Sequence, residues 1–276
     1  MLPLLLVWSL ICSWLLPASG EAERLVQNGG KILFLGDSLT AGQHSYPEVL
    51  RALLQRRFPA SRIEIAKHAV SGAKMSQLQG WAQSDFRGIH ADACLIFVQD
   101  AGLTDTPVRH FEEALTGLIS AAGKRGVYLI NEGRKPGWTA SDEILALWGV
   151  DRSDKMEGLT VAEFHDYWVN QLNPVLQRLA GEPCVHLVDY QASLARFYAD
   201  NPSAEILNPD GLHLGDGAKF LLALLCLKNL GFSRSDLDLS ADIELDQALK
   251  QAIVQAVFAA DLESAPGSST SFHLLK

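Results

Sequence analysis

Short apolar runs alternate along this chain with longer segments in which apolar residues recur at helical spacing. The runs have the length of β-strands, and their centres are almost continuously apolar, which is typical of strands that are covered on both faces. Strands that alternate with helices favour βαβ units and hence a parallel sheet. The predicted strands are Lys31–Leu35, Ile63–His68, Ala93–Val98, Val127–Ile130 and Val185–Val188.

Helical periodicity fills the segments between these strands and continues beyond the last one. The predicted helices are Pro47–Phe58, Lys74–Phe86, Val108–Ala122, Val161–Ala180, Gln191–Tyr198, Asp216–Asn229 and Asp242–Phe258. In the last helix Leu245, Leu249, Ile253 and Val257 mark one buried face. The sequence therefore predicts an α/β fold, a three-layer sandwich of about five parallel strands with helices on both faces of the sheet.

One long segment, Glu132–Gly158, does not follow this alternation. Loops of this length are uncommon inside a compact domain and are often lids or binding loops, so we expect an insert here. The last residues, 263–276, are mostly small and polar and are predicted to be a disordered tail. Because no linker interrupts the rest, we expect a single domain over residues 24–262.

The first 20 residues are uncharged and mostly apolar, and they end in small residues. This pattern predicts a secretory signal peptide with cleavage near Ala18-Ser19-Gly20. No Lys or Arg precedes Arg24, so an uncleaved N-terminal anchor remains the alternative. A membrane is a partner only in that case. Both alternatives predict an exported protein, periplasmic or secreted.

The net charge and the cysteine spacing argue against a nucleic-acid partner and a zinc site. The 276-residue chain carries a net charge of −9 and has no basic cluster, so nucleic-acid binding is not expected. Beyond residue 20 three cysteines remain, Cys94, Cys184 and Cys226, and each lies in an apolar run that is typical of buried free thiols. No cysteine spacing resembles a zinc site. Neither a metal nor an organic cofactor is predicted.

The first candidate for chemistry is Ser38, in the sequence Gly36-Asp37-Ser38-Leu39-Thr40 directly after the first predicted strand. In open parallel sheets, ligands bind beyond the carboxyl ends of the strands. A serine at this turn can therefore act as a nucleophile that faces the binding crevice. The alternative is that Ser38 only caps the next helix, which is a common role for serine after a turn.

The second candidate is the pair of Asp210 and His213, in the sequence Asp210-Gly211-Leu212-His213 before a C-terminal helix. A hydroxyl becomes a useful nucleophile when a base removes its proton, and a carboxylate fixes the tautomer of that base. A separation of three residues within one turn lets Asp210 reach one imidazole nitrogen, which leaves the other free to face Ser38. A structural Asp–His pair that closes a loop is the alternative.

These two motifs, in this order, resemble the first and last signature blocks of the GDSL/SGNH hydrolases. The similarity covers most of residues 31–230. It implies an SGNH-hydrolase, flavodoxin-like fold in which Ser38 is the nucleophile, His213 the base and Asp210 its orienting acid. Asp37 is then a supporting residue beside the nucleophile.

The resemblance also implies an oxyanion hole. The family's second block supplies a glycine that Gly72 matches, so the backbone N–H groups of Ser38 and Gly72 are the expected donors. The third block carries an asparagine in the family, and none stands there in this chain. Alignment on the flanking glycine and aspartate puts the Thr104 hydroxyl in its place, whereas an ungapped alignment puts Leu103 there and leaves only the two backbone donors. A shifted donor, Gln99 or Asn131, is the alternative.

The resemblance implies a serine esterase that hydrolyses carboxylic esters through an acyl-enzyme. Aromatic side chains often receive sugar rings, so Trp138 and Trp148 in the insert suggest an acylated extracellular glycan as substrate. Packing of the insert onto the domain is the other explanation for these tryptophans. Two alternatives stay open: a non-catalytic glycan-binding module, which the missing asparagine favours, and an acyltransferase that uses the same residues.

Overall fold

The computed structural model describes most of the chain between residues 19 and 263. The described residues are 19–71, 73, 75–88, 92–97, 108–122, 125–139, 141–148, 155–156, 159–160, 170, 172–237 and 244–263. Most of the predicted signal peptide, the tail from residue 264, Gly72, Gln99 and Thr104 therefore lie outside the described residues.

A parallel sheet of five strands forms the centre of the described structure. The strands in chain order are β1 (Gly30–Gly36), β2 (Ile63–Ala69), β3 (Ala93–Phe97), β4 (Gly126–Ile130), β5 (Lys155–Met156), β6 (Leu159–Thr160) and β7 (Val185–Val188). The central sheet has the order β2-β1-β3-β4-β7 with parallel pairing throughout, and β5 and β6 form a short antiparallel pair. The predicted α/β class is confirmed.

The helices follow the strands in the predicted alternation. They are α1 (Ser19–Asn28), α2 (Tyr46–Arg57), α3 (Met75–Gly88), α4 (Val108–Ala122), α5 (Asp142–Trp148), α6 (172–179), α7 (Tyr190–Asp200), α8 (Asp216–Asn229) and α9 (Gln247–Glu263). Helices α4 and α8 have the predicted bounds. Helix α6 lies within the predicted Val161–Ala180, of which 161–169 and 171 lie outside the described residues.

Alternate residues of the central strands pack into two separate apolar clusters. Ile32 and Phe34 of β1 belong to one cluster, which also holds residues of α1, α2, α7, α8 and α9. Leu33 and Leu35 belong to the other, with residues of α3, α4 and α6. The period of two along a strand thus places helices on both faces of the sheet.

The structure corrects the start of the last helix and the content of the predicted loop. Helix α9 begins at Gln247 and not at Asp242, because the Asp246 carboxylate accepts the backbone N–H groups of Ala248 and Leu249 and so caps the helix. The predicted Glu132–Gly158 loop contains helix α5 and strand β5.

Cys184 was expected to be buried and is exposed, in the turn before β7. Its φ angle is 66°, in the left-handed region that turns use. Cys226 is buried as expected, and burial raises the pKa of its thiol. Both cysteines are free thiols.

Helix α1 begins five residues before residue 24, where the sequence places the start of the domain. Ala22 and Leu25 are buried in the apolar cluster, and the Arg24 guanidinium pairs with Asp92 at 3.0 Å. Few apolar residues mark this helix, so its pattern is weak in the sequence. Among the helices that the structure describes, none is both long enough and apolar enough to cross a bilayer.

Replacing Leu25 by alanine tests whether α1 is part of the folded domain. Leu25 is fully buried, so we expect Leu25→Ala to lower the free energy of unfolding in urea by about 2–5 kcal/mol. The control Gln27→Ala, at an exposed position of the same helix, should change it by less than about 0.5 kcal/mol. Equal, small effects of both substitutions would show that α1 contributes nothing to the core.

Candidate active site

Ser38 lies in a tight turn at the carboxyl end of β1. The Asp37 carbonyl accepts the N–H groups of Thr40 at 3.1 Å and Ala41 at 2.7 Å, and the Asp37 carboxylate accepts the N–H of Leu39 at 3.2 Å. Asp37 is only 3% exposed, so its hydrogen bonds to the backbone determine the shape of the turn. Asp37 therefore organises the turn that presents Ser38 at the sheet edge.

Ser38 does not cap the following helix. Helix α2 begins at Tyr46, and its N-cap residue is Ser45, seven positions after Ser38. Pro47 stands in the first turn, where a missing N–H costs nothing. The helix-capping alternative for Ser38 is therefore wrong, and its hydroxyl is available at the edge of the sheet.

Asp210 and His213 share a compact loop before α8. The Asp210 carboxylate accepts the backbone N–H groups of Leu212 at 3.0 Å and His213 at 2.9 Å through Oδ1. Its Oδ2 lies 2.5 Å from Nδ1 of the His213 imidazole. Gly211 between them has a φ angle of 70°, which glycine adopts without strain. The loop thus holds the carboxylate and the imidazole in one fixed geometry.

The fold brings this loop to the turn after β1. Ser38 Oγ lies 3.4 Å from His213 Nε2, although the two residues are 175 positions apart in the chain. This distance is slightly beyond the hydrogen-bond reach of ~2.6–3.2 Å, as is common in active sites without substrate. The three predicted residues therefore form a continuous row from hydroxyl to imidazole to carboxylate.

The electrostatics of the row favour an ionised carboxylate. Burial raises the pKa of Asp210, but the hydrogen bonds that it accepts from the His213 side chain and from the Leu212 and His213 backbone outweigh burial, so the pKa is lowered. An ionised Asp210 can only accept hydrogen bonds, so Nδ1 of His213 carries the proton. Nε2 is the ring nitrogen that faces the Ser38 hydroxyl.

A small cavity of about 180 Å³ opens beside Ser38 and His213. Its lining includes the polar side chains of His44, Ser45, Asn208 and Lys219. The cavity has room for a short acyl group or a small alcohol and offers several hydrogen-bonding groups. Leu39, Ala41 and Leu214 add apolar surface to the same cavity.

Family comparison agrees with this arrangement. The model of the GDSL-like lipase/acylhydrolase family matches residues 34–217, which is more than half of the chain and includes Ser38, Asp210 and His213. The chain belongs to the GDSL-like lipase/acylhydrolase family. No curated protein is similar enough in sequence to count as a match.

Solved structures with a similar fold come from bacterial and metagenomic esterases and hydrolases. Axe2, an acetylxylan esterase from Geobacillus stearothermophilus, is 19% identical, with 74% of this chain and 95% of that chain covered and a TM-score of 0.54. LAE5, an α/β hydrolase from the metagenome of Lake Arreo, Spain, is 20% identical over the same shares, with a TM-score of 0.51. At this identity the matches show a shared fold.

The loop of Gly42–Ser45, which lines the cavity, is held by residues that the sequence did not indicate. Lys67 Nζ donates to the Gly42 carbonyl at 2.5 Å and pairs with Glu48 Oε1 at 3.0 Å. The Ser45 hydroxyl donates to Glu48 Oε2 at 2.5 Å. These residues belong to β2, α2 and the loop between β1 and α2, and no local motif connects them. Their side chains hold the loop of Gly42–Ser45 beside Ser38.

Among the alternatives for the oxyanion donor, Asn131 has a structural role. Its Nδ2 donates to Asp189 Oδ1 at 2.9 Å, and its Oδ1 accepts the N–H of Gln191 at 3.1 Å. These bonds tie the end of β4 to the start of α7, and Asn131 is only 4% exposed. Its amide therefore holds two elements together, in place of the oxyanion role considered from the sequence.

Trp138 contacts the loop of Asp210 and His213. Its indole Nε1 donates to the Asp210 carbonyl at 2.6 Å, and a Cβ added at Gly211 would lie 2.5 Å from Trp138 Cδ1. This is the packing role that the sequence left open, and sugar binding by Trp138 stays a prediction. The side chain of Trp148 lies outside the described residues.

Among the described residues, no group of three or more His, Cys, Asp or Glu is placed to hold a metal.

The lowered pKa of Asp210 predicts how acid affects stability. A carboxyl whose folded-state pKa lies below its unfolded value of about 3.9 stabilises the fold above that pH and loses this stabilisation as the pH falls through the folded-state pKa. We therefore expect Asp210→Asn to be less stable than the wild type near pH 7, with the difference shrinking below about pH 4.

Urea unfolding of both proteins across this pH range measures the difference. The control is Ser38→Ala, which removes no carboxylate, so its difference from the wild type should stay constant with pH. A constant difference for Asp210→Asn as well would contradict the lowered pKa.

Proposed function

We propose that this chain is a serine esterase that hydrolyses carboxylic esters through an acyl-enzyme. The observation that carries the proposal is the row of three groups, with Ser38 Oγ 3.4 Å from one imidazole nitrogen of His213 and the Asp210 carboxylate 2.5 Å from the other. Membership of the GDSL-like lipase/acylhydrolase family supports it. The small polar cavity beside Ser38 supports it as well.

In the proposed reaction Ser38 attacks the ester carbonyl while His213 Nε2 takes the hydroxyl proton. Asp210 stabilises the imidazolium that forms. The protonated His213 then gives its proton to the leaving alcohol as the tetrahedral intermediate collapses to the acyl-enzyme. A water molecule, activated by the same imidazole, attacks the acyl carbon, and the acid leaves as Ser38 recovers its proton.

The oxyanion of each tetrahedral intermediate needs hydrogen-bond donors that are fixed in advance. The Ser38 N–H stands at the turn after β1, and the Gly72 N–H follows β2 in the sequence. We assign the third donor to the Thr104 hydroxyl, because the chain has no asparagine at that block and Asn131 is held by Asp189. A weaker third donor would make the enzyme slower by up to about 10²–10³-fold.

The similar structures support the assignment of roles. Three of the Axe2 structures are described as catalytic mutants, in which a serine, an aspartate or a histidine is replaced by alanine. The aspartate and the histidine of that protein are three positions apart, as Asp210 and His213 are here.

Replacing the proposed nucleophile tests the assignment directly. Ser38→Ala should lower kcat for p-nitrophenyl acetate by more than about 10⁴-fold, because the covalent step is lost. The same variant should not react with a fluorophosphonate probe, whereas the wild type should. The matched control is Ser84→Ala, at an exposed position on α3, which should keep both activities.

The outcome also separates the two alternatives. A wild-type protein that neither hydrolyses the ester nor reacts with the probe would contradict the esterase proposal and favour the alternative of a non-catalytic glycan-binding module. A wild type that reacts with the probe and forms a new ester when an acceptor alcohol is present would be an acyltransferase.

For the substrate we propose a short-chain acyl group on a glycan, outside the cytoplasm. Axe2 is described as an acetylxylan esterase and, in another structure, as an acetyl-xylooligosaccharide esterase. The cavity beside Ser38 is too small for a long acyl chain, and the polar side chains in its wall can bond to sugar hydroxyls. The apolar, uncharged residues 1–20 support export.

A panel of esters tests this specificity. We expect kcat/KM to fall by about tenfold or more from p-nitrophenyl acetate to the octanoate ester, because extra methylenes do not fit the cavity. Acetylated xylo-oligosaccharides should have a higher kcat/KM than p-nitrophenyl acetate. Equal values for all acyl lengths and no preference for sugars would refute the glycan proposal and leave the esterase proposal intact.

A further inference from the structure

We infer that Trp138 is a positioning residue, whose indole N–H holds the Asp210 peptide so that the carboxylate and imidazole of the loop stay aligned with Ser38. The inference rests on the proposed function, in which His213 is the general base. It gives the insert after β4 a role in the reaction, although Trp138 need not touch substrate.

A tight turn presents the indole. The Trp138 N–H donates to the Lys135 carbonyl at 3.0 Å, which closes a four-residue turn of Lys135, Pro136, Gly137 and Trp138. Proline at the second position and a glycine with a φ angle of 76° at the third are the features of a type II turn. The sequence therefore specifies the turn locally, and the turn places the tryptophan at its end.

Two hydrogen bonds join this turn to the loop of Asp210 and His213. The indole Nε1 donates to the Asp210 carbonyl at 2.6 Å, and the Lys135 N–H donates to the Gly211 carbonyl at 3.3 Å. The edge of the indole packs against Gly211 so closely that any larger residue there would collide with it. Two consecutive carbonyls of the loop are thus held from outside the loop.

Two residues that follow β4 hold the Trp138 indole in turn. The Arg134 guanidinium lies 4.5 Å from the centre of the Trp138 ring, within cation–π range, and its Nε donates to Glu132 Oε1 at 2.9 Å. The Arg134 side chain is 10% exposed and that of Glu132 is 1% exposed. Glu132 follows Asn131, which bonds to Asp189 at the start of α7. A chain of buried contacts therefore connects β4 to Trp138.

This connection matters because the three hydrogen bonds that align the Asp210 carboxylate with the imidazole lie within one loop. They go to the N–H groups of Leu212 and His213 and to the His213 ring. Such bonds fix the imidazole relative to the carboxylate, and none of the three reaches the turn of Ser38. Trp138, 72 positions before Asp210, supplies a contact between the loop and the segment that follows β4. Displacement of a catalytic group by about 1 Å can cost ~10²-fold in rate.

Two variants separate the N–H donor from the bulk of the side chain. Trp138→Phe keeps an aromatic ring and loses the donor. Trp138→His loses the benzene ring of indole but keeps a donor, because imidazole Nε2 occupies the place of indole Nε1 in the five-membered ring. The matched control is Trp81→Phe on α3, where Trp81 packs against the apolar cluster on the other face of the sheet.

With p-nitrophenyl acetate we expect Trp138→Phe to lower kcat by about tenfold or more at unchanged KM, because a transition-state alignment is lost and substrate binding is not. The rate of reaction with a fluorophosphonate probe should fall in parallel. Trp138→His should recover most of kcat although its Tm is lower than that of Trp138→Phe. Trp81→Phe should keep kcat within about twofold.

A kcat that follows Tm across the Trp138 variants would show a purely structural role and overturn the inference. A wild-type-like kcat in Trp138→Phe would overturn it too, and so would a raised KM at unchanged kcat, which would indicate substrate binding by Trp138. In all three cases the wild type is active and the esterase proposal stands. A wild type without esterase activity would overturn both proposals.

Discussion

The contact between the Asp210 carboxylate and the His213 imidazole is the constraint on which the rest of the site depends. A serine hydroxyl is a poor nucleophile, and it gains reactivity only beside a base with a free lone pair. Asp210 favours that condition because its carboxylate accepts a hydrogen bond from Nδ1–H, which leaves Nε2 on the side of Ser38, at 3.4 Å from Oγ. Burial raises the pKa of Asp210, but the hydrogen bond from the His213 side chain and those from two backbone N–H groups lower it below its usual value.

The sheet brings the pair of Asp210 and His213 to the turn that carries Ser38. Parallel strands end at one edge, so the turn after β1 and the loop before α8 can meet there although they are far apart in the chain. Helix α8, which follows His213 directly, is buried along most of its length in the cluster that also holds Ile32 and Phe34 of β1. Because close-packed interiors resist small displacements, this packing holds His213 close to Ser38.

The segment after β4 shows how an insert can serve a site without entering it. Glu132 and Arg134 form an ion pair with little exposure, and such pairs rarely add much net stability because both charges lose water. Their geometric effect is clearer, since the pair places a guanidinium over Trp138 and the indole reaches the Asp210 carbonyl. The ion pair therefore acts mainly by orienting Trp138 and the loop that it contacts, and less by stabilising the fold.

The sequence by itself determined the alternation of strands and helices and the α/β class, and it singled out Ser38, Asp210 and His213 as candidates for chemistry. It could do so because strand and helix periods and short turn motifs are local properties of the chain. It did not reveal helix α5 within a segment of mixed composition, the exposure of Cys184, or the weakly apolar helix α1.

Only the tertiary structure decided which group faces which. Asn131 is bound by Asp189, Lys67 holds the loop of Gly42, and Trp138 reaches Asp210 across 72 positions. Each of these contacts joins residues far apart in the sequence, and a long-range contact depends on how whole elements pack. A pattern read along the chain shows which side chains could do chemistry, whereas the distance between two of them is set by the packing of the sheet and its helices.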